Sequence, residues 1–318
     1  MKYYAGLDIG GTKCAAVIGG VADDGTIEIL AKEKFPTEGA PKAMLEKLCD
    51  AIEKLAEGKP LAGAGISCGG PLSSEKGMIL SPPNLPGWDE IPACQIVEDK
   101  LGIPCKLQND ADACALAEWK FGAGKGTNNM VFLTCGTGFG AGLILGGRLY
   151  TGACDMAGEI GHIRVTDNGP VGYGKAGSFE GYCSGGGIAQ VAKTYALEQL
   201  QMGKTCGFCH NYEEIETISA KTVADAANAG DSLALQVYKT CGTYLGRSLA
   251  MLVDLLNPEA IVLGSIYARC ENLLRDTCRE VIEKECLPGA AARCKILPAK
   301  LGESIGDIAA LAVATKEN

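Results

Sequence analysis

The chain has 318 residues, 47% of them hydrophobic, and a formal net charge of −9. This length is enough for two domains, each with its own core. Glycines and charged residues interrupt every apolar stretch before it reaches membrane-spanning length, and the N-terminus shows no secretory pattern. These features predict a cytoplasmic protein with no membrane partner. The acidic balance also argues against nucleic acid, whose binding depends on clustered lysine and arginine.

Sixteen cysteines are scattered singly through the sequence. Without an export signal they are expected to be reduced and buried as small apolar residues. Residues 206–210 read Cys-Gly-Phe-Cys-His, but one C-x-x-C pair beside a single histidine is an incomplete metal site. No metal is expected there.

The first half of the chain opens with three predicted strands, at residues 3–9, 14–19 and 26–33. Residues 41–57 have helical periodicity. Strands at 63–67 and 104–108 then alternate with helices at 91–101 and 111–121. The helical pattern of the 41–57 segment places on one face Met44, Leu45, Leu48, Ile52 and Leu55.

The second half restarts with a strand at 129–135 and continues mainly with helices. The helices are predicted at 184–201, 232–256, 266–285 and 304–315, with strands at 260–263 and 294–297. Strands precede helices in both halves, and this order indicates an α/β fold.

Two segments, residues 7–17 and 133–143, share one pattern: an apolar strand, a glycine turn with threonine, and a second apolar strand. Glycine lets backbone N–H groups approach a bulky anion, and threonine adds a hydroxyl donor. Either turn alone is also compatible with an ordinary hairpin. Their repetition, with Asp8 beside the first turn, predicts a nucleotide whose phosphates lie between two similar domains.

Other phosphate-binding motifs do not fit. The sequence has no G-x-x-x-x-G-K-[S/T] segment, and Gly136-x-Gly138-x-x-Ala141 matches only a relaxed dinucleotide fingerprint. That fingerprint must open a helix, whereas residues 141–147 are typical of a strand and a turn.

Five motifs fall in an order and spacing that resemble the ROK (repressor, open reading frame, kinase) family of sugar kinases. They are Asp-Ile-Gly-Gly-Thr-Lys at 8–13, Asn-Asp-Ala at 109–111, Cys-Gly-Thr-Gly at 135–138, Gly-Glu-Ile-Gly-His at 158–162 and the segment 256–264. The resemblance implies an α/β, two-domain, actin-like (ribonuclease H-like) fold with a cleft between the domains. The expected domains are residues 1–109 plus 304–318, and residues 110–303. A homodimer is usual in similar proteins.

By the same resemblance, Asp110 is the catalytic base and Asn109 binds a neighbouring sugar hydroxyl. A carboxylate within hydrogen-bond reach can orient a hydroxyl and take its proton during phosphoryl transfer. From the sequence alone, Asp110 could instead cap the helix that follows it.

The resemblance also assigns Glu159, His162 and Glu180 to the sugar, with Gly70 and Asn84 lining the same pocket. A lone histidine is often structural, and Glu180 could equally be a solvated loop carboxylate.

For the nucleotide, the resemblance implies ATP with Mg²⁺, and Asp8 engages the metal through water. One side of the phosphates is assigned to Gly10, Gly11, Thr12 and Lys13, the other to Gly136, Thr137 and Gly138, and the nucleoside to Gly264. Lys13 could instead be a solvated strand residue. The family usually continues Gly264 with further glycines, whereas this chain has Ser265.

Most members of the family follow the Gly-His pair with cysteines that bind structural zinc with that histidine. Residues 168–179 of this chain contain no cysteine. Without thiolates the tetrahedral site cannot form, so no structural zinc is expected and another partner must orient His162.

The expected function is therefore ATP-dependent phosphorylation of a hexose. Glucose at its C6 hydroxyl is favoured because residues 81–88 resemble a loop of bacterial glucokinases. The alternatives are an N-acetylmannosamine kinase or another hexose or hexosamine kinase, a sugar-responsive transcriptional regulator, and an actin-like filament or chaperone ATPase. A regulator is disfavoured because the first strand begins close to the N-terminus, without a helix-turn-helix domain before it.

Overall fold

The structure is a computed structural model that describes residues 1–136 and 138–316. Within these residues it has fourteen strands and eleven α-helices. The strands are β1 Lys2–Ile9, β2 Lys13–Val21, β3 Ile27–Pro36, β4 Leu61–Cys68, β5 Leu72–Ser73, β6 Met78–Ile79, β7 Cys105–Asn109, β8 Met130–Cys135, β9 Phe139–Leu145, β10 Arg148–Tyr150, β11 Val171–Gly172, β12 Lys175–Ala176, β13 Ala260–Leu263 and β14 Lys295–Pro298.

The helices include several that the sequence patterns did not predict, among them α4 and α6. They are α1 Pro41–Ala56, α2 Ala93–Leu101, α3 Asp110–Phe121, α4 Phe179–Cys183, α5 Gly185–Gln201, α6 Ala220–Asn228, α7 Ser232–Leu256, α8 Ile266–Arg269, α9 Glu271–Glu285, α10 Pro288–Ala291 and α11 Ile305–Ala314. Across the described chain, no helix has the length and apolarity needed to cross a bilayer.

Two five-stranded sheets confirm the predicted α/β class. Their strand orders are β3-β2-β1-β4-β7 and β10-β9-β8-β13-β14. In the first sheet, β1 pairs antiparallel with β2 but parallel with β4, and β4 pairs parallel with β7. One prediction needed correction: the helix expected at 266–285 is two helices, α8 and α9, because the backbone leaves helical geometry at Cys270.

The strand and turn predicted for residues 141–147 are confirmed, and they support the exclusion of a dinucleotide fingerprint. Phe139–Leu145 is a strand that turns into β10, with Leu145 opposite Arg148. A dinucleotide fingerprint would need a helix at this point.

The described chain divides into two compact units. The first contains Met1–Phe132, Gly142–Gly158 and the described residues from Lys300 on, and the second contains Leu133–Ala141 and Glu159–Ala299. Helix α3 thus belongs to the first unit, whereas the sequence division placed it in the second domain. The predicted domain boundaries stay a prediction.

Strand alternation decides which side chains of β1 reach the core of the first unit. Leu7 and Ile9 belong to a hydrophobic cluster that includes Leu45 of α1. The intervening residues face α11, because a Cβ atom at Gly6 would lie 3.0 Å from Ala310 Cβ. Side chains of a strand alternate between its faces, so Asp8 lies on the α11 side.

Helix α11 packs so closely on this sheet that a side chain would not fit at Gly65. A Cβ atom there would lie 2.2 Å from the carbonyl oxygen of Ala310 and 2.4 Å from the nitrogen of Ala314. Both are backbone atoms of a helix and cannot move aside cheaply. The close approach fixes the height of α11 over the sheet.

A buried carboxylate joins helix α3 to the segment that leads into α11. Glu118 is fully buried. Its Oε1 accepts hydrogen bonds from Lys300 N and Leu301 N, both at 2.9 Å, and its Oε2 accepts one from Ala123 N at 2.7 Å. Three backbone donors therefore satisfy a charge that would otherwise be costly to bury.

Replacing Glu118 with glutamine tests this junction. The amide NH₂ of Glu118→Gln cannot accept from a backbone N–H, so at least one buried donor is left unsatisfied. The free energy of unfolding should fall by about 1–3 kcal/mol in urea denaturation. Glu53→Gln, on the exposed face of α1, is the matched control and should change stability by less than about 0.5 kcal/mol. Equal stability of the two variants would contradict the role given to Glu118.

Candidate active site

The first glycine turn is held by hydrogen bonds to its own backbone and to Thr37. Gly10 N donates to Lys13 O at 3.1 Å, Thr37 Oγ1 donates to Gly10 O at 2.6 Å, and Thr37 N donates to Thr12 O at 3.0 Å. Gly11, Thr12 and Lys13 are exposed. The turn is therefore rigid but open to a ligand.

The proline-rich loop at residues 81–88 packs on this turn. A Cβ atom at Gly11 would lie 2.3 Å from Asn84 O, and one at Gly69 would lie 3.2 Å from Asn84 Oδ1. The loop is anchored by Trp88, which is 3% exposed. Asn84 is thus brought to both the glycine turn and the end of β4, as a pocket-lining residue requires.

The junction of β7 and α3 holds Asn109 and Asp110. Asn109 is the N-cap: its Oδ1 accepts a hydrogen bond from Ala111 N at 2.9 Å. Asp110 Oδ1 accepts from the same N–H at 2.8 Å. A Cβ atom at Gly70 would lie 3.3 Å from Asn109 Nδ2, so Gly70 adjoins this junction. Capping thus falls to Asn109, not to Asp110.

The carboxyl of Asp110 has a raised pKa. Burial is the main cause of the rise. Hydrogen bonds from backbone N–H groups lower the pKa, and the bond from Ala111 N has a larger effect than that from Asp110 N. Solvent nevertheless reaches the side chain, which is exposed by surface area. A carboxylate that is largely surrounded by protein yet accessible is a stronger proton acceptor than a fully solvated one.

Asp8 lies in an acidic environment of the same unit. Its pKa is raised to about 6, by burial first and then by the negative charges of Asp307 and Asp110, while Lys32 and Lys34 lower it. Asp307 itself forms a close ion pair with Lys32. A Cβ atom at Gly306 would lie 3.0 Å from Asp8 Oδ2, so the start of α11 adjoins the carboxylate.

A cavity of about 140 Å³ adjoins Asp8. Charged groups of both signs line it: the carboxylates of Asp8, Glu303 and Asp307 and the ammonium groups of Lys13, Lys32 and Lys34. Carboxylate oxygens are ligands that Mg²⁺ prefers, and a divalent cation would relieve the mutual repulsion of Asp8 and Asp307. The donor set therefore fits a hydrated magnesium ion.

Two residues beyond Asp110, Asp112 is a buried carboxyl with an unusual environment. It is 2% exposed, and Gln108 Nε2 donates to its Oδ2 at 3.1 Å. Within the described chain, its Oδ1 has no hydrogen-bond partner. Burial raises its pKa to about 7, and the Gln108 hydrogen bond only partly offsets this.

In the second unit, Glu159 and His162 flank a short 3₁₀ turn, Ile160–His162. His162 Nε2 lies 3.7 Å from Glu159 Oε2. The imidazole meets the ring of Tyr173 edge-on, with 5.1 Å between centroids, and Lys175 Nζ donates to His162 O at 2.6 Å. Glu159, Tyr173 and Lys175 therefore supply the orienting contacts for His162.

The second glycine turn is tied to Glu180. Gly136 N donates to Gly138 O at 3.1 Å, and Phe139 N donates to Glu180 Oε2, also at 3.1 Å. Glu180 lies in the first turn of α4 and is partly buried. It is therefore a positioned carboxylate and not a freely solvated one. Thr137, predicted for this turn, lies outside the described residues.

Gly264 follows β13 and donates from its N to Leu133 O at 2.8 Å. Ser265 has a backbone φ of 54°, a left-handed conformation that residues other than glycine rarely adopt. A Cβ atom at Gly136 would lie 3.5 Å from Ser265 Oγ. The structure thus gives a physical reason for glycine to be usual at this position and brings Ser265 next to the second glycine turn.

The predicted residues thus form two groups, one in each unit. The first unit holds Asp8, Gly10, Gly11, Thr12, Lys13, Gly70, Asn84, Asn109 and Asp110, and the second holds Gly136, Gly138, Glu159, His162, Glu180 and Gly264. Sequence reasoning missed Asp307 and Lys32, and it noted Ser265 only as a departure from the glycines usual in the family. Only the alternation of lysines along β3 hinted at any of them.

Comparisons with known proteins find matches over almost the whole chain. The ROK family model matches residues 4–317. A glucokinase of Streptomyces coelicolor is 32% identical over 313 residues, covering 98% of this chain and 96% of that protein. A xylose repressor of Caldicellulosiruptor bescii is 27% identical over 302 residues, covering 93% of this chain and 74% of the repressor.

A solved structure of a ROK family glucokinase from Streptomyces griseus, in complex with glucose and AMPPNP, is also similar. Its TM-score is 0.75 at 29% identity, and the match covers 99% of this chain and 100% of that one. This likeness confirms the predicted two-domain, actin-like α/β fold.

The unusual pKa of Asp112 predicts a pH-dependent stability. Between its ordinary value of 3.8 and about 7, the folded state holds a proton that the unfolded state has released. The free energy of unfolding therefore falls as pH rises through this range, by up to about 1.4 kcal/mol per pH unit. Below pH 3.8 the carboxyl is protonated in both states, and above pH 7 in neither.

Asp112→Asn removes this contribution. Urea denaturation gives the free energy of unfolding at pH 5 and at pH 8. The decrease between these two pH values should be smaller in the variant than in the parent, by about 1–3 kcal/mol. Asp99→Asn, on the exposed face of α2, should behave like the parent. An unchanged loss in Asp112→Asn would show that this carboxyl does not hold the proton.

Proposed function

This chain belongs to the ROK family, and on that premise we propose that it is a sugar kinase, which transfers the terminal phosphoryl group of ATP to a hexose hydroxyl. The observation that carries the proposal is the accessible Asp110, its pKa raised by burial, at the β7–α3 junction beside Asn109. The similarity to glucokinases, one of them solved with glucose and an ATP analogue, supports the same reaction.

Asp110 is the proposed general base. A sugar hydroxyl is a weak nucleophile, and a carboxylate that accepts its proton as the phosphoryl group transfers contributes about 10²–10⁴-fold in rate. Ala111 N fixes Asp110 through its Oδ1. The capping role of Asn109 leaves Asp110 available for this chemistry.

The proposed sugar contacts are hydrogen-bonding side chains. Asn109 Nδ2, beside Gly70, and the side chain of Asn84 are the candidates in the first unit. Glu159, His162 and Glu180 are the candidates in the second, where Tyr173 and Lys175 hold His162 in place. Paired carboxylate and imidazole groups suit the adjacent hydroxyls of a hexose.

The phosphates would be addressed by the exposed turn of Gly10, Gly11, Thr12 and Lys13 and by Gly136 and Gly138, with Thr137 still predicted there. Gly264 is assigned to the nucleoside. Asp8, with Asp307 beside it, would hold Mg²⁺ through water, and the bound ion would neutralise charge on the phosphates.

Glucose, phosphorylated at its C6 hydroxyl, is the proposed substrate. Support comes from the glucokinase relative, from the glucose bound in the Streptomyces griseus structure and from the loop at residues 81–88. N-acetylmannosamine and other hexoses or hexosamines are the competing substrates. The absence of a structural zinc ion and the homodimer stay predictions, for metal analysis and sedimentation to test.

A coupled ADP-release assay tests the proposal. The purified protein is supplied with ATP, Mg²⁺ and a panel of hexoses and N-acetylhexosamines. We expect glucose to give the highest kcat/KM. Turnover with another sugar would keep the kinase and change its substrate. No sugar-dependent ADP release with any member of the panel would favour a regulator, the activity that the similar xylose repressor is named for.

Asp110→Asn should lower kcat by about 10²–10⁴-fold while changing the dissociation constant of the sugar by less than several-fold. Asparagine keeps an oxygen for Ala111 N, so folding should be unaffected. Asp23→Asn, at a fully exposed position, is the matched control. Turnover in Asp110→Asn equal to that of the control would exclude Asp110 as the base.

The same residue predicts the acid limb of the pH profile. Because burial raises the pKa of Asp110, protonation should lower kcat/KM at a pH above the ordinary carboxyl value of 3.8. Turnover should rise as pH increases through that pKa. A profile that stays flat down to pH 3.8 would contradict a carboxylate base of raised pKa.

A further inference from the structure

Glu180 is in contact with the second glycine turn. Phe139, whose N–H donates to Glu180 Oε2 at 3.1 Å, is the first residue after that turn. A Cβ atom at Gly138 would lie 3.2 Å from the same oxygen. The carboxylate assigned to the sugar is therefore bonded to the segment assigned to phosphate.

Three glycines confine the Glu180 side chain. Besides Gly138, a Cβ atom at Gly172 would lie 2.6 Å from Glu180 Cβ, and one at Gly161 would lie 3.4 Å from it. Gly161 belongs to the motif that carries Glu159 and His162, and Gly172 to the β11–β12 hairpin. Backbone from three segments thus surrounds one side chain, which leaves it little freedom to change rotamer.

These segments also contact one another through their backbones. A Cβ atom at Gly161 would lie 2.1 Å from Phe139 O. Gly185 N, at the start of α5, donates to Gly136 O at 2.9 Å. A shift of Glu180 therefore acts on the turn through its hydrogen bond from Phe139 N–H and its close approach to Gly138.

We propose that Glu180 couples the two substrates: sugar bound to its carboxylate orders the backbone at Gly138 and Phe139, and the protein then binds nucleotide more tightly. This inference rests on the proposed function and adds a positioning role to the sugar contact. An ionised carboxylate offers about four acceptor sites, so Glu180 can hold Phe139 N–H and a sugar hydroxyl together. The coupling is reciprocal by thermodynamic necessity, so nucleotide must tighten sugar binding by the same factor.

Binding measurements on the full chain test the proposal without turnover. Isothermal titration gives the dissociation constant of a non-hydrolysable ATP analogue with Mg²⁺, in the absence and at saturation of glucose or of whichever sugar the panel selects. The ratio of the two constants is the coupling factor. For the parent protein we expect a factor of at least about 5, within the usual range of roughly 5–150.

The variants act on the contact from both sides. Glu180→Ala removes the acceptor and should bring the factor to about 1, whereas Glu180→Gln keeps an oxygen for Phe139 N–H and should retain part of it. Gly138→Ala leaves the carboxylate but displaces it, and should lower the factor to below about 2. Any loss of intrinsic nucleotide affinity in this variant cancels in the ratio.

Gly186→Ala is the matched control. It adds the same methyl group in the first turn of α5, where the crowding found at Gly138 is absent: a Cβ atom there would lie 3.9 Å from Ser184 Oγ. Its factor should equal that of the parent. Hydrogen exchange gives a second readout: sugar alone should slow exchange of the Phe139 amide in the parent and not in Gly138→Ala.

The outcomes distinguish a failure of the coupling from a failure of the proposed function. If Glu180→Ala no longer binds sugar, Gly138→Ala still decides, since its carboxylate remains. A parent factor of 1, or a factor in Gly138→Ala equal to that of Gly186→Ala, would overturn the coupling and leave the kinase standing. A protein that binds neither sugar nor nucleotide would instead overturn the proposed function.

Discussion

The register of three parallel strands determines where the chemistry of the first unit lies. Asp8 pairs with Ser67, Ile9 with Cys68, and Cys68 with Asn109, so β1, β4 and β7 end at one edge of their sheet. The carboxyl ends of adjacent parallel strands are where α/β proteins bind ligands. Here that edge collects the first glycine turn, the glycines after β4 and the Asn109–Asp110 junction.

Gathering carboxylates at this edge has an electrostatic cost that appears in their pKa values. Burial raises the pKa of Asp8, Asp110 and Asp112, and the charges of Asp307 and Asp110 raise that of Asp8 further. The positive charges of Lys32, which pairs with Asp307, and of Lys34 offset part of this cost at Asp8. Helix α11 thus packs on the sheet and also contributes to the charge around Asp8, which makes stability and site chemistry interdependent.

The sequence was sufficient for most of the longer strands and helices and for the motifs that lie at strand ends. The helical period of residues 41–57 reflects burial on one face, which local sequence records directly. The Asn109–Asp110 junction was predictable for the same reason, because a strand ends and a helix begins there.

Contacts between distant segments were not predictable. Asp307 reaches Asp8 only through the packing of α11, almost 300 residues away, and no local pattern records that distance. The bond from Phe139 N–H to Glu180 depends on how three glycine-containing loops fold together. The break at Cys270 likewise interrupts a segment whose hydrophobic period alone favours one continuous helix. Tertiary packing decides each of these features.

The central claim is that Asp110 receives the proton of the sugar hydroxyl. A crystal structure of the protein with glucose and a non-hydrolysable ATP analogue measures it most directly. The account predicts an Asp110 carboxylate oxygen about 2.6–3.2 Å from the C6 hydroxyl, with that hydroxyl facing the terminal phosphorus. A sugar bound with Asp110 out of hydrogen-bond reach of every hydroxyl would contradict it.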